Sequence, residues 1–130
     1  MKLLLLLLAF SFNNIEQNEL LLPGKDTIPT VDFCDLPNYA GKKVRVTCSY
    51  SGIEEYWGLG RIKKGKCEKE YLVNLGIIDY EKVPKRFQKK FTAVANSYWN
   101  SYLMLTMIGT FETGRDGYGH LGSNNAQFNV

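Results

Sequence analysis

At 130 residues the chain is long enough to bury one core without metals or many disulfides, and too short for two ordinary domains. Its apolar fraction of 45% and charged fraction of 22% exclude wholesale disorder. A formal charge of +3 is too small to imply a polyanionic partner by itself, so the distribution of charge matters more than its sum.

The chain opens with Met1 and Lys2, an unbroken apolar run from Leu3 to Phe10, Phe12, and then polar Asn13 and Asn14. The run is shorter than a membrane span and has the shape of a signal peptide, with Ala9 and Ser11 as the small residues a signal peptidase accepts. Residues 1–12 are therefore expected to be a cleaved leader, leaving no stable membrane span and sending the protein to the periplasm or outside the cell. Residues 13–30 show no sustained period, are punctuated by Pro23-Gly24 and Pro29, and are expected to be a linker. The folded domain is expected over 31–130, starting with a turn or helical turn through Pro37 to Gly41 that buries Leu36 and Tyr39.

Between Gly41 and Gly52 the side chains alternate without a break. Val44, Val46, Cys48 and Tyr50 share one face and Lys43, Arg45, Thr47 and Ser49 the other, which predicts a strand over 42–51 with one face buried. Leu105, Met107, Gly109 and Phe111 repeat the pattern within a second long strand, 101–112. Shorter strands are predicted over 55–62, 70–78 and 126–130, with a charged loop at residues 63–70 and a glycine-rich loop at 113–122. Pro84 suits a first helical turn, and Phe87, Phe91, Val94 and Tyr98 recur at helical spacing, predicting an amphipathic helix over 84–98.

The expected class is mainly β. Five strands with one helix between the third and fourth is the order of the OB-fold, a small Greek-key barrel in which the first and fourth strands are neighbours. An open antiparallel sheet carrying one helix is the competitor. The chain also resembles small bacterial exported proteins with an OB-like fold. The resemblance rests on Cys34-Asp35-Leu36, on Tyr39-Ala40-Gly41-Lys42-Lys43-Val44-Arg45-Val46, on Gly52-Ile53-Glu54 and on Tyr118-Gly119-His120-Leu121-Gly122. It implies architecture from about Phe33 to the C-terminus and little chemistry, since the group has no settled activity.

Three cysteines in an exported chain predict one disulfide and one thiol. Cys48 shares the buried strand face with Val44 and Val46, so the expected bridge is Cys34 to Cys67. No Cys-x-x-Cys spacing accompanies the lone His120, and neither a metal nor a cofactor is expected. His120 is expected to tie its glycine-rich loop to backbone groups, a structural role; the competing role is that of acid or base in an envelope hydrolase.

The candidate ligand surface is the one built from the second and third strands, where OB barrels bind single-stranded nucleic acid or oligosaccharide. Tyr56, Arg61, Lys63, Lys64 and Tyr71 would supply it, while Trp57 turns inward with Leu59. The functional expectation is an exported, non-enzymatic binding or interaction module for a glycan, peptide or envelope protein. Single-stranded nucleic acid is the alternative, which fits the compartment less well.

Overall fold

The computed structural model describes residues 27–130, so the leader and most of the linker expected from the sequence lie outside the described residues. In chain order the elements are β1 (Thr30–Val31), a 3-10 turn (Phe33–Tyr39), β2 (Lys43–Ile53), β3 (Tyr56–Gly60) and β4 (Val73–Gly76). A 3-10 turn (Tyr80–Lys82), the helix α1 (Lys85–Ala95), β5 (Leu103–Tyr118), a further 3-10 turn (His120–Gly122) and β6 (Asn124–Asn129) complete the chain. Among the described residues no helix is long and apolar enough to cross a membrane.

The period-2 pattern of β2 does what its chemistry requires. Val44, Val46 and Cys48 have no exposed surface, whereas Lys43 and Thr47 stand in solvent. Both edges of β2 are used along its length, against β3 through Gly52↔Trp57 and Tyr50↔Leu59, and against β5 through Val46↔Met107 and Cys48↔Leu105. The two strands with matched patterns are thus neighbours. β5 continues antiparallel into β6 through Phe111↔Phe128, and β6 runs parallel to β4 through Leu75↔Phe128. Leu36, Leu59, Val73, Phe111, Ala126 and Phe128 close over the buried face of β2 to form one core. Gly109 makes this closure tight, because a Cβ there would lie 2.0 Å from the carbonyl oxygen of Asn129.

The fold is mainly β, with α1 between β4 and β5, but the five-stranded barrel expected from the sequence needs correction. The sheet has six strands, because Thr30–Val31 pairs in parallel with β2 through Thr30↔Arg45 and Val31↔Val46. Nor is it a cleanly closed barrel: β3 and β4 meet at a single pair, Leu59↔Val73. The reason lies in residues 61–72, which leave the sheet. Arg61 and Lys63 turn toward the N-terminal segment, and Leu72 gives its backbone N–H to the Asn125 side chain at 2.8 Å. Consequently β4 is shorter than the predicted 70–78.

Three further boundaries moved for identifiable reasons. The β2–β3 hairpin turns at Glu54-Glu55, two residues after Gly52, with Glu54 left-handed (φ 54°) and its carbonyl accepting the Trp57 indole N–H at 2.7 Å. Gly52 stays inside β2 because the Trp57 ring lies on it; a Cβ there would sit 2.6 Å from Cδ2. β5 runs on to Tyr118 through part of the expected glycine-rich loop, with a register irregularity between Thr113 and Tyr118 that Gly114 and Gly117 accommodate with positive φ. The helix ends at Ala95, not at residue 98, as the Asn96 N–H closes onto Thr92 O at 3.0 Å and the following residues fold into turns. Phe91 and Val94 carry the contact face of α1, Phe91 edge-on to Tyr50 at 5.4 Å, while Phe87 remains at the surface beside Arg86.

Cys34 and Cys67 form a disulfide that ties the first 3-10 turn to the connection between β3 and β4, and Cys48 is the free, buried cysteine.

Candidate functional site

The outward face of β2 carries Thr47, Ser49 and Ser51, three hydroxyls spanning about 13 Å at the usual strand rise. Its neighbours on this face are Thr106 and Met104 of β5, since Thr47 pairs with Thr106 and Ser49 with Met104. The two threonine hydroxyls are hydrogen-bonded to each other at 2.8 Å. Two adjoining clefts run along this strip. One, of about 490 Å³, is lined by Thr30 to Phe33, Thr47, Arg61, Ile62, Lys63 and Met104. The other, of about 410 Å³, is lined by Ser49, Ser51, Arg61, Ile62 and the segment Tyr98 to Tyr102. Arg61 and Ile62 belong to both, so the clefts form one groove along this strip, and Arg61 also lines a third cleft beside the disulfide.

The far wall is aromatic. Trp99 is 70% exposed and Tyr102 64%, unusual for such side chains unless something covers them. Tyr98 stands edge-on to Trp99 at 5.2 Å. The segment is held by short polar contacts: Ser97 Oγ donates to Ala93 O at 2.8 Å and lies 3.0 Å from Ser101 Oγ, and the Asn100 N–H reaches Ser97 O at 3.1 Å. The wall is therefore preorganised while its aromatic faces stay open.

The near wall is set by Asp32. Its Oδ1 accepts the Cys34 N–H at 3.0 Å, capping the 3-10 turn, and its Oδ2 takes Lys63 at 3.3 Å. The Cys34 N–H holds the Asp32 carboxyl below its ordinary value; burial opposes it, and Lys63 and Arg61 each add a smaller lowering effect. Arg61 itself is half-buried. Its Nη1 donates to Lys64 O at 3.3 Å, and its Nε is buried with no acceptor among the described residues.

Of the five ligand residues expected from the sequence, the groove collects Arg61 and Lys63. Lys64 contributes its backbone carbonyl to Arg61 and leaves its side chain in solvent. Tyr71 meets Arg61 in a separate cleft of about 280 Å³ beside the disulfide, with its ring edge-on to Phe111 at 5.5 Å and Lys69 over it at 5.3 Å. Tyr56 is at the other end of β3, exposed, with its ring edge-on to His120 at 5.2 Å. Trp57 points inward on the face of Leu59 and packs against Tyr50 at 5.1 Å. Sequence reasoning missed Tyr98, Trp99 and Tyr102: Tyr98 fell on the helical spacing of the α1 stripe, which concealed that the helix ends first.

His120 meets a side chain of the β2–β3 turn, and not the backbone groups expected from the sequence. Its Nε2 meets Glu55 Oε2 at 2.9 Å, linking the β6 approach to the β2–β3 turn. A carboxylate beside an imidazole is half of an acid–base arrangement, but no serine, threonine or cysteine is hydrogen-bonded to this ring among the described residues. No group of three or more potential metal ligands occurs among the described residues either.

A further open cleft, of about 420 Å³, lies between α1 and the sheet, lined by Tyr50, Trp57, Leu75, Ile77, Tyr80 and Phe91 with Thr92 and Ala95. Burial there, with Tyr80 nearby, raises the Tyr50 hydroxyl above its ordinary value.

Compared with protein-family models, with curated proteins and with solved structures, the chain matches none.

Proposed function

We propose that the chain is an exported, OB-like binding module whose ligand is an oligosaccharide seated in the groove between the first 3-10 turn and the Trp99 wall. The observation that carries this reading is the pairing of two widely exposed aromatic rings, Trp99 and Tyr102, with hydroxyl and amide groups from Ser49, Ser51, Asn100 and Ser101 in one cleft. Sugars present apolar C–H faces that cover aromatic rings and hydroxyls that exchange hydrogen bonds with neutral polar groups, so this lining matches both halves of their surface. Strand order supports the OB-like part: the pairings lead from β2 through β3, β4, β6 and β5 back to β2, the circuit of that barrel, loosened at β3–β4. Support for export comes from the Cys34–Cys67 disulfide, a bond that persists in oxidising compartments.

Single-stranded nucleic acid would also use aromatic platforms, but it needs a track of cations along its backbone. Among the described residues the groove offers Arg61 and Lys63, and Lys63 is engaged by Asp32.

Calorimetric titration of the protein with a panel of oligosaccharides and oligonucleotides, at low and high salt, tests the proposal. Saccharide binding should be nearly insensitive to salt and should weaken by about 2 kcal/mol in Trp99→Ala, roughly 30-fold in Kd, with unchanged thermal stability. Tight oligonucleotide binding that collapses with salt would replace it with the nucleic-acid reading.

A further inference from the structure

We infer that the saccharide is acidic and that Arg61 receives its carboxylate; this rests on the saccharide reading above and adds the charge of the ligand to it. Arg61 stands where the two clefts of the groove join, within the reach of anything lying along the hydroxyl strip of β2. A guanidinium carries five N–H donors in a rigid fork. Here a single intramolecular bond is made, to Lys64 O at 3.3 Å, a long one, and Nε has no acceptor among the described residues. Nε is buried, whereas the Nη donors open to solvent, where an incoming carboxylate can take the place of water.

The nearby acid does not fill that role. Asp32 is within electrostatic reach of Arg61, yet both of its oxygens are committed, one to the Cys34 N–H and the other to Lys63 at 3.3 Å. No Arg61–carboxylate pair within 4.0 Å is formed among the described residues. Because Lys63 and Asp32 neutralise each other, the groove has a net charge of one positive unit, located on the guanidinium. That balance matches a monoanion. A carboxylate carries one negative charge in a plane that the arginine fork meets with two parallel hydrogen bonds. A phosphate monoester, at about −1.5 to −2 near neutrality, would leave uncompensated charge against Asp32. With its carboxylate on Arg61, the sugar ring can lie toward Trp99 and Tyr102 and its hydroxyls toward Ser49 and Ser51.

Binding of otherwise neutral tetrasaccharides ending in a single galacturonate or mannuronate, their methyl esters and a neutral tetrasaccharide ending in glucose-6-phosphate is measured on the full chain, wild type and with Arg61→Gln, Arg61→Lys and Trp99→Ala. At least one tetrasaccharide ending in a single uronate should bind tenfold to a hundredfold more tightly than its ester, the worth of a charge-assisted bond pair. Arg61→Gln should abolish that preference, acid and ester then binding within about twofold of each other, and Arg61→Lys should keep part of it. Thermal melting checks that each variant is folded. Equal binding of acid and ester, a preference that survives Arg61→Gln, or stronger binding of the phosphorylated sugar overturns the acidic inference and leaves the saccharide reading standing. Failure of every saccharide to bind overturns both.

Discussion

Replacing both Cys34 and Cys67 by alanine should cost the protein a large share of its stability. The bridge spans 33 positions, and closing a loop of that length in the unfolded chain removes entropy corresponding to about 3–4 kcal/mol at 25 °C. Neither cysteine belongs to the core cluster, and both are only half-buried, so the cavity left by losing two sulfurs adds little to this figure. For a domain of this size the loss corresponds to a fall in Tm of about 10–20 °C. Urea unfolding of the wild type, the double variant and the reduced wild type provides the measurement. If the bridge acts through the unfolded state, the two disulfide-free forms should have the same midpoint, and both should show a larger denaturant slope because their unfolded ensembles expand. A loss below about 1 kcal/mol with an unchanged slope would refute the reasoning, since it would mean that the unfolded chain is no freer without the bridge.

Asp32→Ala should cost about 1 kcal/mol by removing the side-chain cap of the first 3-10 turn. Because folding lowers the Asp32 pKa, its contribution is present above 3.8 and fades as pH falls through the folded value, so wild-type and variant stabilities measured by urea titration should converge in acid. Gly109→Ala places a methyl 2.0 Å from Asn129 O, a backbone atom that cannot swing aside, and should lower stability in a thermal melt by about 1–3 kcal/mol or more. In Gly41→Ala, where the methyl meets nothing within 4 Å, the left-handed φ of 77° should limit the cost to about 1–2 kcal/mol.

Long-range pairing and local pattern were legible to different degrees. Lys43 to Ile53 could be recognised because burial of one face imposes a period of two, and the same period in Leu105 to Phe111 marked its partner. Thr30 and Val31 carry no such mark: two residues cannot show a period, and their pairing with Arg45 and Val46 depends on where the disulfide and the 3-10 turn bring the chain. Glu54-Glu55 does not look like a hairpin turn, and it is tolerated because the Trp57 indole ties down the Glu54 carbonyl. The groove was half legible. Arg61 and Lys63 follow a strand and are conspicuous as cations. Trp99 and Tyr102 lie on a segment whose exposure is decided by the end of α1, and that end is set by turn hydrogen bonds at Asn96 and Ser97 that no side-chain spacing announces.

The third cysteine adds a constraint on how the molecule reaches this state. Desolvation pushes the Cys48 thiol up to about 12, so within the folded sheet it holds its proton, and without the thiolate it cannot attack the Cys34–Cys67 bridge. In the unfolded chain that protection is absent, and Cys34, Cys48 and Cys67 compete as equals for oxidation, with Cys34 nearer in sequence to Cys48 than to Cys67. Correct pairing therefore favours a route in which β2 is sequestered between β3 and β5 before oxidation is complete. Packing of the sheet acts, in effect, as a protecting group that leaves two thiols available and chooses the bond.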